Sequence, residues 1–299
     1  MEIRTLRYFL TIAQEKTIVQ AAKKLHITQP TLSRQMKELE EEFDKQLFIR
    51  TNRTIILTDD GLLLKKQAQQ ILFLVDKTEE MMKSSPDILS GDIHIGATET
   101  AASSILAKAI AAIQKDHPQI HFHLYSGNVQ DIADRLESGL LDFGLVLDPV
   151  NLAKFDFFKL PIHDRWGLLV KDDNRLAAQN HVQSHEIYNM EVMCPDQEMV
   201  KNEFAGWLGG NYRGFLISNT YNLLYNAAQI VAQGGSLALS LESHSHQLNI
   251  PGLSFVPFHP DLNTNHYLIY KKYQLFSKEC EHFLNVFQQT ATGLNEENS

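Results

Sequence analysis

At 299 residues the chain is longer than one ordinary compact domain, and a hydrophobic share of 43% supplies enough apolar side chains for true cores. No run approaches eighteen uninterrupted apolar residues, the first residues carry Glu2, Arg4 and Arg7 where a signal peptide would be apolar, and two cysteines cannot make a disulfide framework, so a cytoplasmic protein is expected. The net charge of −9 argues against nucleic acid for the chain as a whole, but residues 1–58 hold ten Lys/Arg against seven Asp/Glu, and between Glu15 and Glu38 there are five basic residues and no acidic one.

In chain order, Leu6, Phe9, Leu10, Ile12 and Ala13 form a helical stripe within residues 3–14. A short helix fits Val19–Leu25, with Ala21, Ala22 and Leu25 inward, and His26-Ile27 makes a turn. Thr28 is a good N-cap, and Pro30 falls in a first turn, where a missing N–H costs nothing. Leu32, Met36, Leu39 and Phe43 then define the apolar face of a third helix, leaving Gln29, Thr31, Ser33, Arg34 and Lys37 to solvent. The start of such a helix can enter the major groove, where Gln suits adenine, Arg suits guanine, and Ser or Thr serves a base or a phosphate. An ordinary amphipathic helix would also be polar outside. It would not account for the two small-residue helices, the tight turn and the acid-free block together.

Leu47–Arg50 and Thr54–Leu57 are β-prone runs with Thr51-Asn52-Arg53 between them, which predicts a two-stranded wing. Arg50 and Arg53 would then reach a phosphate or the minor groove.

The first sixty residues resemble the LysR-type transcriptional regulators. The resemblance rests on Ala21-Ala22, Leu25, Thr28–Ser33, Leu39-Glu40, Leu47-Phe48, Arg50, and Leu57-Thr58 followed by Gly61. Asp44 stands where a glycine is common and Asp60 where an alanine is common. Asp tolerates the left-handed conformation that a helix end demands. The resemblance implies that DNA is read by Gln29, Pro30, Thr31, Ser33, Arg34, Lys37, Arg50 and Arg53.

Leu57, Gly61, Leu64, Ala68, Ile71, Val75, Thr78 and Met82 alternate steps of four and three, a heptad seam. The seam could pack on its own domain or pair two chains, and paired heads would read paired half-sites. In the resembled family this helix joins subunits and four-chain assemblies are common, which implies a homodimer or homotetramer. The helix is expected to stop at Ser84-Ser85-Pro86, with Ser90-Gly91 closing the hinge.

From residue 92 strands and helices alternate, as in an α/β domain with a largely parallel sheet. Expected strands are Ile93–Ala97, Ile120–Tyr125, Leu141–Val146, Trp166–Val170, Glu191–Cys194, Phe215–Ile217, Ser236–Ser240 and His266–Tyr270. Expected helices are Ala101–Gln114, Val129–Ser138, Asn222–Gln233 and Ser277–Ala291. Gly139–Leu145 and Val231–Gly234 resemble the LysR-type effector domain, with Ser236 and Leu241 departing from its glycine and proline. That likeness implies two α/β subdomains of periplasmic-binding-protein type, with the chain crossing between them twice. The fold expected is therefore a winged helix-turn-helix (1–58), a linker helix and hinge (59–90), and an effector-binding domain (91–299). Its subdomain I would be 91–160 plus 266–299, and its subdomain II 161–265.

Open α/β sheets bind ligands at the carboxyl ends of strands, against helix N-termini. Thr98, Thr100 and Ser103 follow the first strand, Ser126 and Asn128 the second, and Asn219 and Thr220 precede a helix, so these seven are candidate effector contacts. They could equally be simple N-caps. Their hydroxyls and amides suit a carboxylate or other small anion. Glu99 would repel an anion unless it points away or the ligand carries a positive group.

The alternatives find little support. The pairs His121/His123 and His244/His246 lack a third ligand at metal-site spacing, and on their strand Ile120, Phe122 and Leu124 are expected inward with the histidines outside. Nothing local would activate Cys194 or Cys280 for redox sensing. No phosphate loop, nucleophile elbow or HExxH motif suggests an enzyme, and Asp148-Pro149 joins no recognisable constellation. A constitutive DNA-binding protein would leave over two hundred residues of cleft-forming body without a purpose. The expectation is a DNA-binding regulator, not an enzyme. It would hold neither metal nor cofactor and would bind double-stranded DNA and a small-molecule effector.

Overall fold

The computed structural model describes residues 1–50, 54–83, 89–188, 190–209 and 216–297. They form two compact units, Met1–Ser84 and Ser85–Ser299.

In the first unit α1 (Ile3–Glu15) buries Leu6, Phe9 and Ile12 and ends at Lys16, whose φ of 57° is left-handed. α2 (Ile18–Lys24) is capped by Thr17, whose side chain accepts the Gln20 N–H. α3 (Gln29–Phe43) begins at the cap Thr28, whose hydroxyl accepts the Thr31 N–H, carries Pro30 in its first turn, and ends at Asp44 with φ 49°. Aspartate thus takes the conformation for which glycine is the usual residue. Leu32, Met36 and Leu39 are buried as their spacing requires, but Phe43, at 40% exposure, lies outside that core.

β1 (Phe48–Arg50) and β2 (Ile55–Leu57) pair antiparallel. The turn expected at Thr51-Asn52-Arg53 lies outside the described residues. α4 (Asp59–Lys83) follows, with Asp59 and Asp60 in its first turn, where the helix dipole favours acid. Asp60 also meets Lys45 at 3.4 Å, a role alanine could not fill.

α4 corrects the seam. Gly61 and Ala68 are buried, and Leu57, Leu64 and Ile71 pack on the same core as Phe9 and Leu39. The seam's first half therefore belongs to its own unit, the alternative that spacing alone left open. The large apolar residues of α4 left to solvent are Leu62 (54% exposed), Leu63 (60%), Leu74 (39%), Met81 (40%) and the seam's own last member Met82 (82%), of which Leu63, Leu74 and Met81 share one helix face at steps of eleven and seven. The expected stop at Ser84-Ser85-Pro86 lies outside the described residues.

The second unit contains β3 (Gly91–Ala97), α5 (Ser103–Asp116), β4 (Ile120–Ser126), α6 (Val129–Glu137), β5 (Phe143–Leu147), β6 (Phe155–Lys171), β7 (Val182–Gln183), β8 (Glu191–Pro195), α7 (Glu198–Trp207), β9 (Leu216–Tyr221), α8 (Leu224–Ala232), β10 (Leu237–Leu241), α9 (Glu242–Leu248), β11 (Leu253–His259), β12 (Asn263–Lys271) and α10 (Lys278–Glu297). The main strand order is β4-β3-β5-β12-β6-β10-β8-β9, with β11 on β6 and β7 on β11. Both ends are parallel: β4-β3-β5 on one side and β10-β8-β9 on the other. The middle is antiparallel, because β12 and β6 run against their neighbours and against each other. These two strands carry the chain from one α/β half to the other. One core gathers Ile93, Ile95, Phe143, Leu268, Phe283 and Phe287 between β3, β5, β12 and α10; Val192, Phe204, Leu239 and Phe258 lie in the core of the other half.

The expected strand Trp166–Val170 is the last third of β6. Its earlier residues pair with β12, and from Trp166 onward the strand pairs with β10 and β11. β4 is an edge strand. His121 and His123 are exposed on it as expected, yet Leu124, expected inward, is 61% exposed. Among the described residues, no helix is long and apolar enough to cross a membrane.

Candidate functional site

Two places gather chemistry. The first is the start of α3. Gln29, Pro30, Thr31, Arg34 and Lys37 are exposed and Ser33 is half-buried, while Leu32, Met36 and Leu39 anchor the opposite face. Arg34 Nε donates to Glu38 Oε1 at 2.8 Å, and Lys37 Nζ lies 3.2 Å from Glu41. Both exposed cations are thus paired with acids one turn on.

The wing is tied to this helix by Glu40, whose carboxylate accepts the Leu47 N–H at 2.7 Å and the Phe48 N–H at 3.1 Å. Thr58 completes the joint: its N–H reaches the Leu47 carbonyl at 3.1 Å, and its Oγ1 donates to the Gln46 carbonyl and accepts the Gly61 N–H. Arg50 ends β1, and Arg53 lies outside the described residues.

The second place is a cavity of about 360 Å³ in the Ser85–Ser299 unit. Thr98 and Glu99 reach it from the end of β3, Asn128 and Val129 from the start of α6, and Asp148 from the end of β5. Across from them stand Gln197, the segment Tyr221–Tyr225, and His244, Gln247 and Leu248 of α9, with Trp166 and Leu147 among the apolar walls. Thr98, Glu99 and Asp148 follow the carboxyl ends of strands, and Asn128, Val129 and Gln197 open helices, where ligands of open sheets sit.

Of the seven expected effector contacts, Thr98 and Asn128 line the cavity. Their oxygens are engaged: Thr98 Oγ1 donates to the Leu145 carbonyl, and Asn128 Oδ1 accepts the Asp131 N–H at 2.9 Å. The other five are outside the lining. Thr100 is buried, Ser103 donates to the Thr98 carbonyl, and Ser126 ends the edge strand β4. Asn219 and Thr220 belong to β9 rather than to the turn before α8, which places Tyr221 and Asn222 at the cavity instead. Glu99, expected either to turn away or to meet a ligand with a positive group, is in the lining, as are Asp148 and His244, which sequence reasoning had set aside. Asp148 closes a strand and precedes a proline; that position at a carboxyl strand end was the available signal.

One wall is fixed by β6. Asp164 is buried and accepts the Arg165 N–H, the Ser243 N–H and the Ser243 hydroxyl. Ser243 Oγ in turn accepts the Ala101 N–H from the segment leading into α5. Arg165 grips Glu242 with two hydrogen bonds of 2.9 Å, which hold that carboxyl below its usual range. Burial lowers the pKa of His244 and of His266, so both rings are neutral at pH 7.

Comparison with known proteins places both sites in one setting. Residues 3–62 match the model of the bacterial regulatory helix-turn-helix protein of the lysR family, and residues 87–292 match the LysR substrate binding domain. The DNA-binding transcriptional dual regulator OxyR of Escherichia coli is 32% identical over 209 residues, 69% of this chain and 68% of that one. The activator IlvY of Salmonella typhimurium is 32% identical over 152 residues, 51% of this chain and 52% of that one. Among solved structures, full-length CbnR complexed with its target DNA covers 97% of this chain and 100% of its own at 17% identity, with a TM-score of 0.71. Full-length BenM covers 100% of this chain and 98% of its own at 22% identity, with a TM-score of 0.57.

Proposed function

The chain belongs to the LysR family of bacterial transcriptional regulators, and from that premise we propose that α3 reads operator bases while a small molecule in the cavity sets the regulatory state. The observation that carries the reading is α3 itself. It is capped by Thr28 and anchored by Leu32, Met36 and Leu39, and it presents Gln29, Thr31, Arg34 and Lys37 to solvent on one face. Ser33, Pro30, Arg50 and Arg53 complete the proposed contact set.

The proposed division is 1–58 for DNA reading, 59–90 for linkage and 91–299 for effector binding. Within the last, 91–160 with 266–299 faces 161–265. The exposed face of Leu63, Leu74 and Met81 is where α4 would pair with a second copy, so that two heads read paired half-sites. A DNA-binding regulator of this build works in the cytoplasm.

Replacing Arg34 by Ala removes a side chain suited to bidentate contact with guanine. It should weaken specific binding by about 1–3 kcal/mol and flatten the preference among operator sequences. Fluorescence anisotropy with the DNA upstream of the gene, against a scrambled duplex, reads both effects. Unchanged affinity and preference would remove Arg34 from the groove.

A second reading comes from relatives named hydrogen peroxide-inducible genes activator, one of which, from Pectobacterium carotovorum, is 29% identical over 209 residues. The reactive species in such chemistry is an accessible thiolate. Cys194 and Cys280 are both buried. Burial pushes the Cys194 thiol up to about 12, against a smaller opposing pull from the Lys201 charge. Operator affinity should therefore be indifferent to hydrogen peroxide. A peroxide-dependent change that Cys194→Ser abolishes would restore the sensor reading.

A further inference from the structure

We propose that the cavity of the second unit takes an amine: a ligand with a protonated nitrogen on an apolar body. The inference rests on the reading of this cavity as the effector site and adds the ligand's charge. Its lining includes two acidic residues, Glu99 and Asp148, the latter's Oδ2 accepting from Asn265 Nδ2 at 2.9 Å and Tyr267 Oη at 3.0 Å, and no lysine or arginine lies among the described lining residues. The remaining walls include Val129, Leu147, Trp166, Leu223, Leu224 and Leu241, which suit a hydrocarbon or aromatic body. An anion here would face two carboxylates in an environment of reduced dielectric and no compensating side-chain cation.

His244 supplies an independent observation. Its Nε2 is closed from solvent and has no hydrogen-bond partner. The ring bonds to the Glu99 backbone carbonyl and burial keeps it neutral, so the donated proton sits on the other nitrogen and Nε2 carries a lone pair. A buried acceptor without a donor is an unfilled demand, which an ammonium N–H in the cavity would meet once the ring turns toward it.

The approach to the cavity has the same sign. A groove sharing Asn128, Val129 and Gln197 with it is lined by Asp131, Glu137, Asp196 and Glu198. Its cation, Lys154, is held by Glu137 at 2.8 Å. Acid-lined clefts concentrate cations. Helix starts at the cavity offer some opposing positive potential, but α6 carries Asp131 and α7 carries Glu198 in the first turn. The start of α8 has neither an acid nor a side-chain cap. Its partial charge is smaller than the two full charges of Glu99 and Asp148.

The test uses the full chain and matched probes: 2-phenylethylamine and hexylamine against 3-phenylpropanoate and heptanoate, read by thermal shift and calorimetry. The amines should raise the melting temperature and the carboxylates should not. Glu99→Gln, an exposed and conservative change, should weaken amine binding at least tenfold, and Leu223→Trp, which fills the cavity, should abolish it. Carboxylates that bind and are blocked by Leu223→Trp would leave the cavity as the site and overturn the charge assignment. So would amine binding that is blocked by Leu223→Trp but insensitive to Glu99→Gln. Binding that survives both variants would place the ligand elsewhere and sink the site reading itself. No shift with either amine would overturn the proposal.

Discussion

Gly61→Ala is expected to cost the DNA-reading unit about 1–3 kcal/mol of stability and to weaken operator binding at least tenfold, with the second unit unaffected. A Cβ at this position would sit 2.2 Å from the Leu47 carbonyl oxygen and 3.2 Å from Leu57 Cδ2. The oxygen cannot yield easily, because it accepts the Thr58 N–H while the Leu47 and Phe48 N–H groups are fixed on Glu40. Either α4 or the strand Phe48–Arg50 must move, and that strand is tied to α3 through Glu40. Gly293 in α10 is the control. Nothing lies within 4 Å of its would-be Cβ, so Gly293→Ala should be neutral or stabilise by up to about 1 kcal/mol. Thermal melts followed separately for the two units, together with anisotropy on operator DNA, distinguish these outcomes. A Gly61→Ala protein with native melting and native affinity would show that the Leu47 carbonyl is free to shift.

Asp164→Ala is expected to destabilise the second unit by about 3 kcal/mol, since it strands buried donors that have no substitute acceptor. The carboxylate accepts from the Ser243 N–H, the Ser243 hydroxyl and the Arg165 N–H. It also lies beside the neutral rings of His244 and His266. The loss would be felt at the cavity, because Ser243 stands in the first turn of the helix that carries His244 and Gln247, and its hydroxyl also accepts the Ala101 N–H. Asp164→Asn keeps one acceptor oxygen and should lose roughly half as much. Urea denaturation measures both. Equal stability of Asp164→Ala and the parent would mean that water replaces the carboxylate without penalty.

The first unit was legible because its punctuation is local. Thr28 and Pro30 fix the start of α3, and Asp44 ends it in a conformation few residues tolerate. The apolar spacing assigned Leu32, Met36 and Leu39 correctly. The spacing of α4 misled over the seam, because α4 lies against its own unit's core through Gly61, Ala68 and Leu72 and turns a neighbouring set outward. Periodicity reports that a stripe is buried, not what buries it.

In the second unit the strands at the parallel ends stood out as short apolar runs. β6 did not, because a strand of 17 residues that changes partners at Trp166 is buried only at intervals before that residue and at every position from Trp166 to Val170. α7, α9 and β11 went unpredicted for want of a clear period. The cavity was found in principle, at the carboxyl ends of strands, yet only Thr98 and Asn128 of the chosen residues line it. Hydroxyl and amide side chains near helix starts tend to satisfy their own backbone, as Asn128 does. The lining instead includes Glu99, Asp148 and His244, residue types that a search for hydroxyls and amides passes over. Burial decides that, and burial is assembled from segments more than a hundred residues apart.

The ion pairs along α3 bear on how the protein would search a genome. To turn fully toward a phosphate, Arg34 and Lys37 would have to give up their pairs with Glu38 and Glu41. Exposed pairs of this kind are worth about 0.3–0.5 kcal/mol each, so the two together lower any encounter by up to a factor of about five. That handicap falls on every stretch of DNA alike, but only a matched sequence offsets it with base contacts. The helix would therefore hold every sequence less firmly than its cation count suggests, while the ratio between matched and unmatched sites is left to the base contacts alone.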